Sequence, residues 1–345
     1  MRILAMGPLW RGSNAGGLFR ALSREGCMIE IVDEFYFISL QTTKKPVKII
    51  DRIIRPLQVR EYNDAIIKKI SAFQPQVVFV YKGMFVLPDT LHFAKKNNCH
   101  LVLFYPDVSL TAHGANIPNC LPLYDEIFTT KTFGIKDMSS KYGINNTFFI
   151  PHGFDPEIHR PLKISNEDFS IFGCDVSFIG TWSAKKEKFL SFLKEHVPEI
   201  NLKIWGGQWD RATAQILKKS IEGKPVIGDL YAMAIQCSKI NLGILSEKVS
   251  GSSSGDLITS RTFHIPGASG FMLHERNEES TLYYNENEEA GFFDGPEELV
   301  AKVKYYLSND AKREEIRLGG YKRAVAGHSL DARARVILNE LKRIK

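Results

Sequence analysis

Between Asp256 and Glu275 the chain reads DLITSRTFHIPGASGFMLHE, which places hydroxyls, Arg261 and His264 within or beside one run of helical spacing, Ser260–Ala268. A Gly/Ser-rich loop, Val249–Gly255 (VSGSSSG), leads in, and Gly270 opens an apolar strand, Phe271–Leu273. A helix start carries unpaired N–H groups and the positive end of the helix dipole, so this grouping suits a phosphate-bearing ligand. A second set follows the apolar run Leu101–Tyr105 in the loop PDVSLTAHG. There Asp107 and His113 are candidates for acid/base work or acceptor handling. Asp107 equally reads as a cap of the next turn, and His113 as an ordinary loop histidine. Gly16 and Gly17, in GPLWRGSNAGG, either let a ligand approach the backbone or form a tight turn against a helix. With Gly12 they do not make G-x-G-x-x-G, so no nicotinamide cofactor is expected.

The elements that must position these residues alternate. Arg2–Met6, Met28–Val32, Val77–Val80, Leu101–Tyr105, Ile127–Thr130 and Thr147–Ile150 read as short buried strands, with helical patterns between them. Glu61–Phe73 is amphipathic through Ile66, Ile67, Ile70 and Phe73, whereas Phe35–Arg60, rich in Lys and Pro, is expected to be irregular. Two prolines flank Gly153 and Asp155 in IPHGFDPEIHRPL, Ile150–Leu162, which is the best domain boundary. Strands are then expected at Cys174–Ile179, Leu202–Trp205 and Ile240–Leu245. Helices are expected at Ala184–Glu195, Arg211–Ser220, Leu230–Cys237, Glu297–Leu307, Ala311–Gly319 and Leu330–Ile344. The class is α/β, with two doubly wound halves on one βα plan. The divisions are 1–155, a linker 156–170, a second domain 171–328, and a C-terminal helix 329–345.

Composition supports two soluble domains. The chain has 345 residues, 44% apolar and 24% charged. No apolar run reaches the length of a membrane span, and MRILAMGPLW lacks the pattern of a signal peptide. Five scattered cysteines without C-x-x-C point to free thiols in a reducing cytoplasm rather than to zinc. From Ala301 to Lys345 there are 12 Lys+Arg against 5 Asp+Glu, so the tail holds the whole net excess of +6. Solvated helix faces account for that charge. A secondary reading is peripheral contact with an anionic membrane or acceptor. No nucleic-acid motif accompanies it.

Several segments carry a family resemblance. PHGFDPEIHRP resembles the interdomain segment of group-1 glycosyltransferases, and YAMAIQCSKINLGI, Tyr231–Ile244, resembles the helix and strand before their donor loop. RTFHIPGASGFMLHE, followed by Glu297-Glu298-Leu299, Tyr305-Tyr306-Leu307 and HSLDAR, is similar to the spore-maturation (CgeB-like) branch. The resemblance covers the C-terminal half with good specificity and the N-terminal half weakly. It implies a GT-B fold: two Rossmann-like domains facing a cleft, with the last helix crossing back to brace the first.

The resemblance further implies a cytoplasmic, bacterial enzyme of polysaccharide or glycoconjugate synthesis, which could sit peripherally at the inner membrane face. It would move a sugar from a nucleotide-diphosphate donor to a hydroxyl of a glycan, lipid-linked or other acceptor. Retaining relatives carry Glu-x7-Glu. Here those positions are Asp256, near the transferred sugar, and His264, where relatives bind ribose. His264 reads equally as a packed helix histidine. No D-x-D occurs, so no metal or other cofactor is implied. Arg261 and Lys186, with Lys185 as substitute, would offset the charge of the leaving diphosphate. A solvated first helical turn is the plainer reading of the two lysines. Gly180 and Thr181 would give room and a hydroxyl beside the phosphates. Ser254 and Gly255 would join them from the loop. Gly206, Gly207, residues 226–228 (Gly228 among them) and Tyr231 would wall the base and ribose, though Tyr231 reads more readily as core. Asp107, His113 and Asp256 are the catalytic candidates. Two other classes compete: a catalytically weakened GT-B-like binding or assembly subunit, and a GT-B-fold sugar-nucleotide epimerase.

Overall fold

A computed structural model describes residues 1–38 and 45–343 of the chain. It divides into two compact units. Unit 1 comprises Met1–Pro151, Lys248–Ser254 and Arg333–Lys345; unit 2 comprises His152–Glu247 and Gly255–Ala332. The Gly/Ser-rich loop thus belongs mostly to unit 1, while the helix it leads to belongs to unit 2.

Unit 1 alternates β1 (Arg2–Gly7), α1 (Asn14–Arg24), β2 (Met28–Asp33), α2 (Glu34–Phe37), α3 (Lys45–Phe73), β3 (Val77–Tyr81), α4 (Pro88–Lys96), β4 (His100–Tyr105), α5 (Asn116–Cys120), β5 (Glu126–Thr129), α6 (Thr132–Tyr142) and β6 (Thr147–Phe149). Its strands form one parallel sheet in the order β2-β1-β3-β4-β5-β6. Val77–Tyr81 is buried along its whole length, as expected of a strand covered on both faces. Leu4, Met6, Val78, Val80, Leu101 and Leu103 pack with Tyr62, Ile66 and Ile70 of α3 in one core. The expectation of irregular chain over Phe35–Arg60 fails where that stretch is described: Glu34–Phe37 and everything from Lys45 onward is helical, with Pro56 inside. Residues 39–44 lie outside the described residues. Lysine is a fair helix former, and one proline removes a single N–H from a helix whose C-terminal half is anchored by core packing.

Unit 2 runs α7 (Asn166–Phe172), β7 (Cys174–Ile179), α8 (Ala184–His196), β8 (Leu202–Trp205), α9 (Asp229–Gln236), β9 (Ser238–Gly243), α10 (Ser260–Gly267), β10 (Met272–Glu275), α11 (Ser280–Tyr283), β11 (Gly291–Phe293), α12 (Gly295–Ser308), α13 (Asp310–Gly327) and the first residues of α14 (Leu330–Arg343). Its parallel sheet has the order β11-β10-β9-β7-β8. The helix expected at Arg211–Ser220 is instead two single 3-10 turns, Trp209–Arg211 and Gln215–Leu217. Leu217 is buried and Trp209 Nε1 donates to Gly180 O at 2.9 Å, so tertiary anchors replace a helical repeat. From Arg333 on, α14 counts with unit 1, where Arg333 Nε donates to Pro151 O (3.2 Å) and Arg335 pairs with Glu25 (2.7 Å). Ile344 lies outside the described residues. All five cysteines are free and buried. Among the described residues, no helix is long and apolar enough to cross a membrane, and no His/Cys/Asp/Glu group could hold a metal ion.

Candidate functional site

In open parallel sheets, ligands bind beyond the strand C-termini where the strand order reverses. In unit 2 that point lies between β7 and β9. Arg261, in the first turn of α10, spans it. One guanidinium nitrogen donates to Ile244 O just past β9 (2.8 Å), the other to Ile179 O at the end of β7 (3.4 Å). The group lies over the Phe178 ring, 5.1 Å from its centroid, and its Nε is buried without a hydrogen-bond partner. Burial pulls the Arg261 pKa down, while Tyr231 and Asp256 pull the other way. A Cβ on Gly180 would lie 2.6 Å from Arg261 Nη1, so the glycine makes room for the guanidinium.

Lys186 joins it from α8. This lysine is only 4% exposed, so the solvated reading fails for it. Its Nζ donates to Thr181 O (3.1 Å) and Ser246 Oγ (2.9 Å). Desolvation, and then the Arg261 charge, bring its pKa down to about 8, with Asp256 and Glu247 opposing. Lys185 is engaged elsewhere, paired with Glu275 at 2.5 Å. The anion that a cation-bearing helix start calls for is supplied by the chain itself. Glu247 accepts from Ser183 Oγ (2.6 Å) and from Lys185 N (3.4 Å) at the start of α8. Asp256 N donates to Ser246 O (3.0 Å), which closes the base of the Gly/Ser-rich loop beside Lys186. Unit 2 therefore gathers Gly180, Thr181, Lys186, Asp256 and Arg261 at one sheet edge.

His264 lies on the same helix and faces other imidazoles. It is buried and stacks on His159, ring centroids 3.8 Å apart and planes 20° from parallel; Tyr231 meets both rings edge-on. Burial drives the His264 pKa well below the ordinary value, helped by His159 and His152 and opposed by a hydrogen bond to the Gly153 backbone. Its Nε2 is buried without a partner. Tyr231 is half-buried on α9, whose first turn follows Gly228. Another histidine, unnoticed in the sequence, lies under the helix. His274 Nδ1 donates to Glu275 O (2.7 Å), so Nε2 accepts from Thr262 Oγ1 (2.9 Å). His274 is fully buried and burial pulls it down to about 4, so it serves as a neutral brace.

The other candidates lie in unit 1. Ser254 ends the loop segment counted there, and Gly255 begins the return to unit 2. The loop is held by Ser109 Oγ on Ser250 O (2.7 Å), Lys141 Nζ on Gly251 O (3.0 Å) and Ser253 N on Asp137 (2.9 Å). Gly16 and Gly17 are buried in the first turn of α1, where Gly16 N donates to the Ser13 cap (3.0 Å). They are not part of the unit 2 grouping. Asp107 and His113 are brought together, His113 Nε2 lying 2.7 Å from Asp107 Oδ2. The same oxygen receives Lys82 Nζ at 2.8 Å, a partner that sequence reading missed. Burial pushes the Asp107 carboxyl up, but the His113 hydrogen bond and the Lys82 charge outweigh it and hold the group well below the usual range. An ionised carboxylate only accepts, so His113 Nε2 is the donor in this bond.

Two parallel-sheet, Rossmann-like units of this kind form the GT-B fold, the architecture of solved glycosyltransferases. Residues 185–339 match the family described as Glycosyl transferase-like. No protein of curated function matches the sequence significantly. Sucrose-phosphate synthase from Thermosynechococcus elongatus superposes with a TM-score of 0.68 at 11% identity, covering 100% of this chain and 99% of that one. A glycosyltransferase from Rickettsia africae gives 0.65 at 13% identity, covering 99% and 98%. Anabaena HepE in complex with UDP-glucose gives 0.65 at 11% identity, covering 99% and 100%. Identities this low show a shared fold and nothing finer.

Proposed function

We propose that the chain is a glycosyltransferase that takes its sugar from a nucleotide-diphosphate donor and needs no divalent metal. The observation that carries this is the pairing of Arg261 with Lys186 at the strand reversal of unit 2. Two cations are held there in partly or wholly buried surroundings, with Asp256 close by. Glu247 and Asp256 offset part of that charge, and a bound diphosphate would offset the rest. The UDP-glucose bound by the HepE relative supports a nucleotide sugar as donor. The sequence supplies no D-x-D, and the two cations provide the charge a metal would otherwise bring.

In this reading the bond from the sugar's anomeric carbon to the diphosphate oxygen breaks as the acceptor oxygen bonds to that carbon. Arg261 and Lys186 stabilise the leaving diphosphate. The acceptor hydroxyl loses its proton to a base, for which Asp107 and His113 are the candidates, or to the departing phosphate if configuration is retained. Asp256 faces the transferred sugar. His264, neutral and with Nε2 unpaired, offers one hydrogen bond to a ribose hydroxyl where a carboxylate would offer two.

Calorimetry with UDP, GDP and ADP, then hydrolysis and transfer assays with the matching nucleotide sugars in EDTA, test this proposal. Micromolar binding and EDTA-insensitive turnover that collapses in Arg261→Ala are expected. No binding at millimolar nucleotide would sink it. Binding with no transfer to any acceptor would favour the weakened-subunit reading, and isomerised nucleotide sugar released without acceptor would favour an epimerase.

A further inference from the structure

The strand order of unit 1 also reverses, between β1 and β3, and Lys82 is the first residue beyond β3. Its backbone is left-handed, φ +68°, and Gly83 after it is left-handed too, φ +77°. Glycine, asparagine and aspartate take this conformation at lower cost than lysine, and non-glycine residues held in it cluster at functional sites. The lysine N–H donates to Phe104 O (2.8 Å), which fixes the turn against β4. The side chain then reaches Asp107 Oδ2, the oxygen that already bonds His113 Nε2. One carboxylate oxygen thus carries an ammonium and an imidazole side by side.

Tyr81 and Tyr105 sense Asp107 from β3 and β4; burial raises both phenols far above neutrality, so they stay uncharged. Glu34, at the start of α2, senses Lys82, Asp33 and Arg55, and burial lifts it to about 7. Lys82 is therefore the fixed positive charge bonded to the dyad.

We propose that Lys82 is a positioning residue for Asp107 and His113: it keeps the carboxylate ionised and aimed, and its charge opposes a second one on the imidazole. This rests on the reading of Asp107–His113 as the proton-handling pair. An ordinary surface ion pair would serve equally well from a relaxed backbone, whereas here the strained turn is what delivers the ammonium to the oxygen shared with His113.

The test is an NMR titration of the His113 ring in the full chain, which needs no substrate, for wild type, Lys82→Met, Lys82→Gly and Lys82→Arg. Glycine accepts the positive φ, so Lys82→Gly folds even where Lys82→Met does not. Removing the charge should raise the His113 midpoint by about one pH unit in the Met and Gly variants, while Lys82→Arg stays within a few tenths. An unchanged midpoint in both neutral variants would overturn the proposal. The acid limb of kcat/KM for sugar transfer should move up by the same amount. If the midpoint moves but wild type transfers no sugar, the assignment of function fails and the positioning stands. If sugar is transferred and the midpoint stays put, the reverse holds.

Discussion

His264 and His159 lie face to face, ring centroids 3.8 Å apart, and both are almost wholly buried. Two stacked imidazoles tolerate this only when neutral. Burial brings His159 down to about 4, against the pull of Asp155, and takes His264 well below its ordinary value. A histidine depressed in the fold contributes stability that is present above its unfolded value near 6.5 and is lost as pH falls through the folded value. For His159 alone the contribution is about 3 kcal/mol. Urea midpoints should fall between pH 7 and pH 4.5, and His264→Phe, which keeps the stack without the charge, should flatten that fall. Identical slopes for the two proteins would contradict the assignment.

Lys186, at about 8, is partly deprotonated in mildly alkaline buffer. A bound diphosphate would favour its protonated form, so nucleotide binding near pH 8 should take up a fraction of a proton. Calorimetry in buffers of different ionisation enthalpy measures that uptake. Affinity should weaken by up to about tenfold as pH rises from 7 to 9. Lys186→Arg should abolish both the uptake and the pH dependence.

Arg261 has a structural task and, in the proposed reaction, a chemical one, and they separate. Its bonds to Ile179 O and Ile244 O tie the ends of two strands, so Arg261→Met should lower unfolding free energy by about 1–3 kcal/mol. Loss of a cation at the leaving group should cost about a hundredfold or more in kcat. A variant that is destabilised yet turns over within threefold of wild type would remove Arg261 from the donor site.

Glu34 supplies a stability test inside unit 1. Burial raises its carboxyl to about 7, with Lys82 opposing. The native fold holds a proton that the unfolded chain releases near 4.5, so the group's contribution is full below that value and lost as pH rises through 7. Glu34→Gln should match wild type at pH 4 and exceed it at pH 8, by on the order of 1 kcal/mol because the residue is only partly buried. Chemical denaturation at the two pH values decides it.

Much of the grouping in unit 2 was legible in order. RTFHIP named Arg261 and His264, and the loop SFIGTW with its lysines named Gly180, Thr181 and Lys186. The strands announced themselves through short apolar runs. Phe35–Arg60 did not, because lysines and a proline obscured a helix that tertiary packing sustains. Glu247 and His274 were invisible as site residues. An acidic residue in a loop and a histidine in a strand gain meaning only when a helix start or a buried hydroxyl is brought against them.

The sequence by itself determined the α/β class, the βα alternation, and the residues around Arg261, because these follow from local periodicity and contiguous motifs. Only the tertiary structure decided that Asp107 shares one oxygen between His113 and Lys82, and that Lys186 is buried beside Arg261. Those meetings depend on parallel register, such as Tyr81 opposite Phe104, and on crossovers that bring residues far apart in sequence to one sheet edge. No local pattern in the chain encodes that register, which is set by how the helices pack on the sheet.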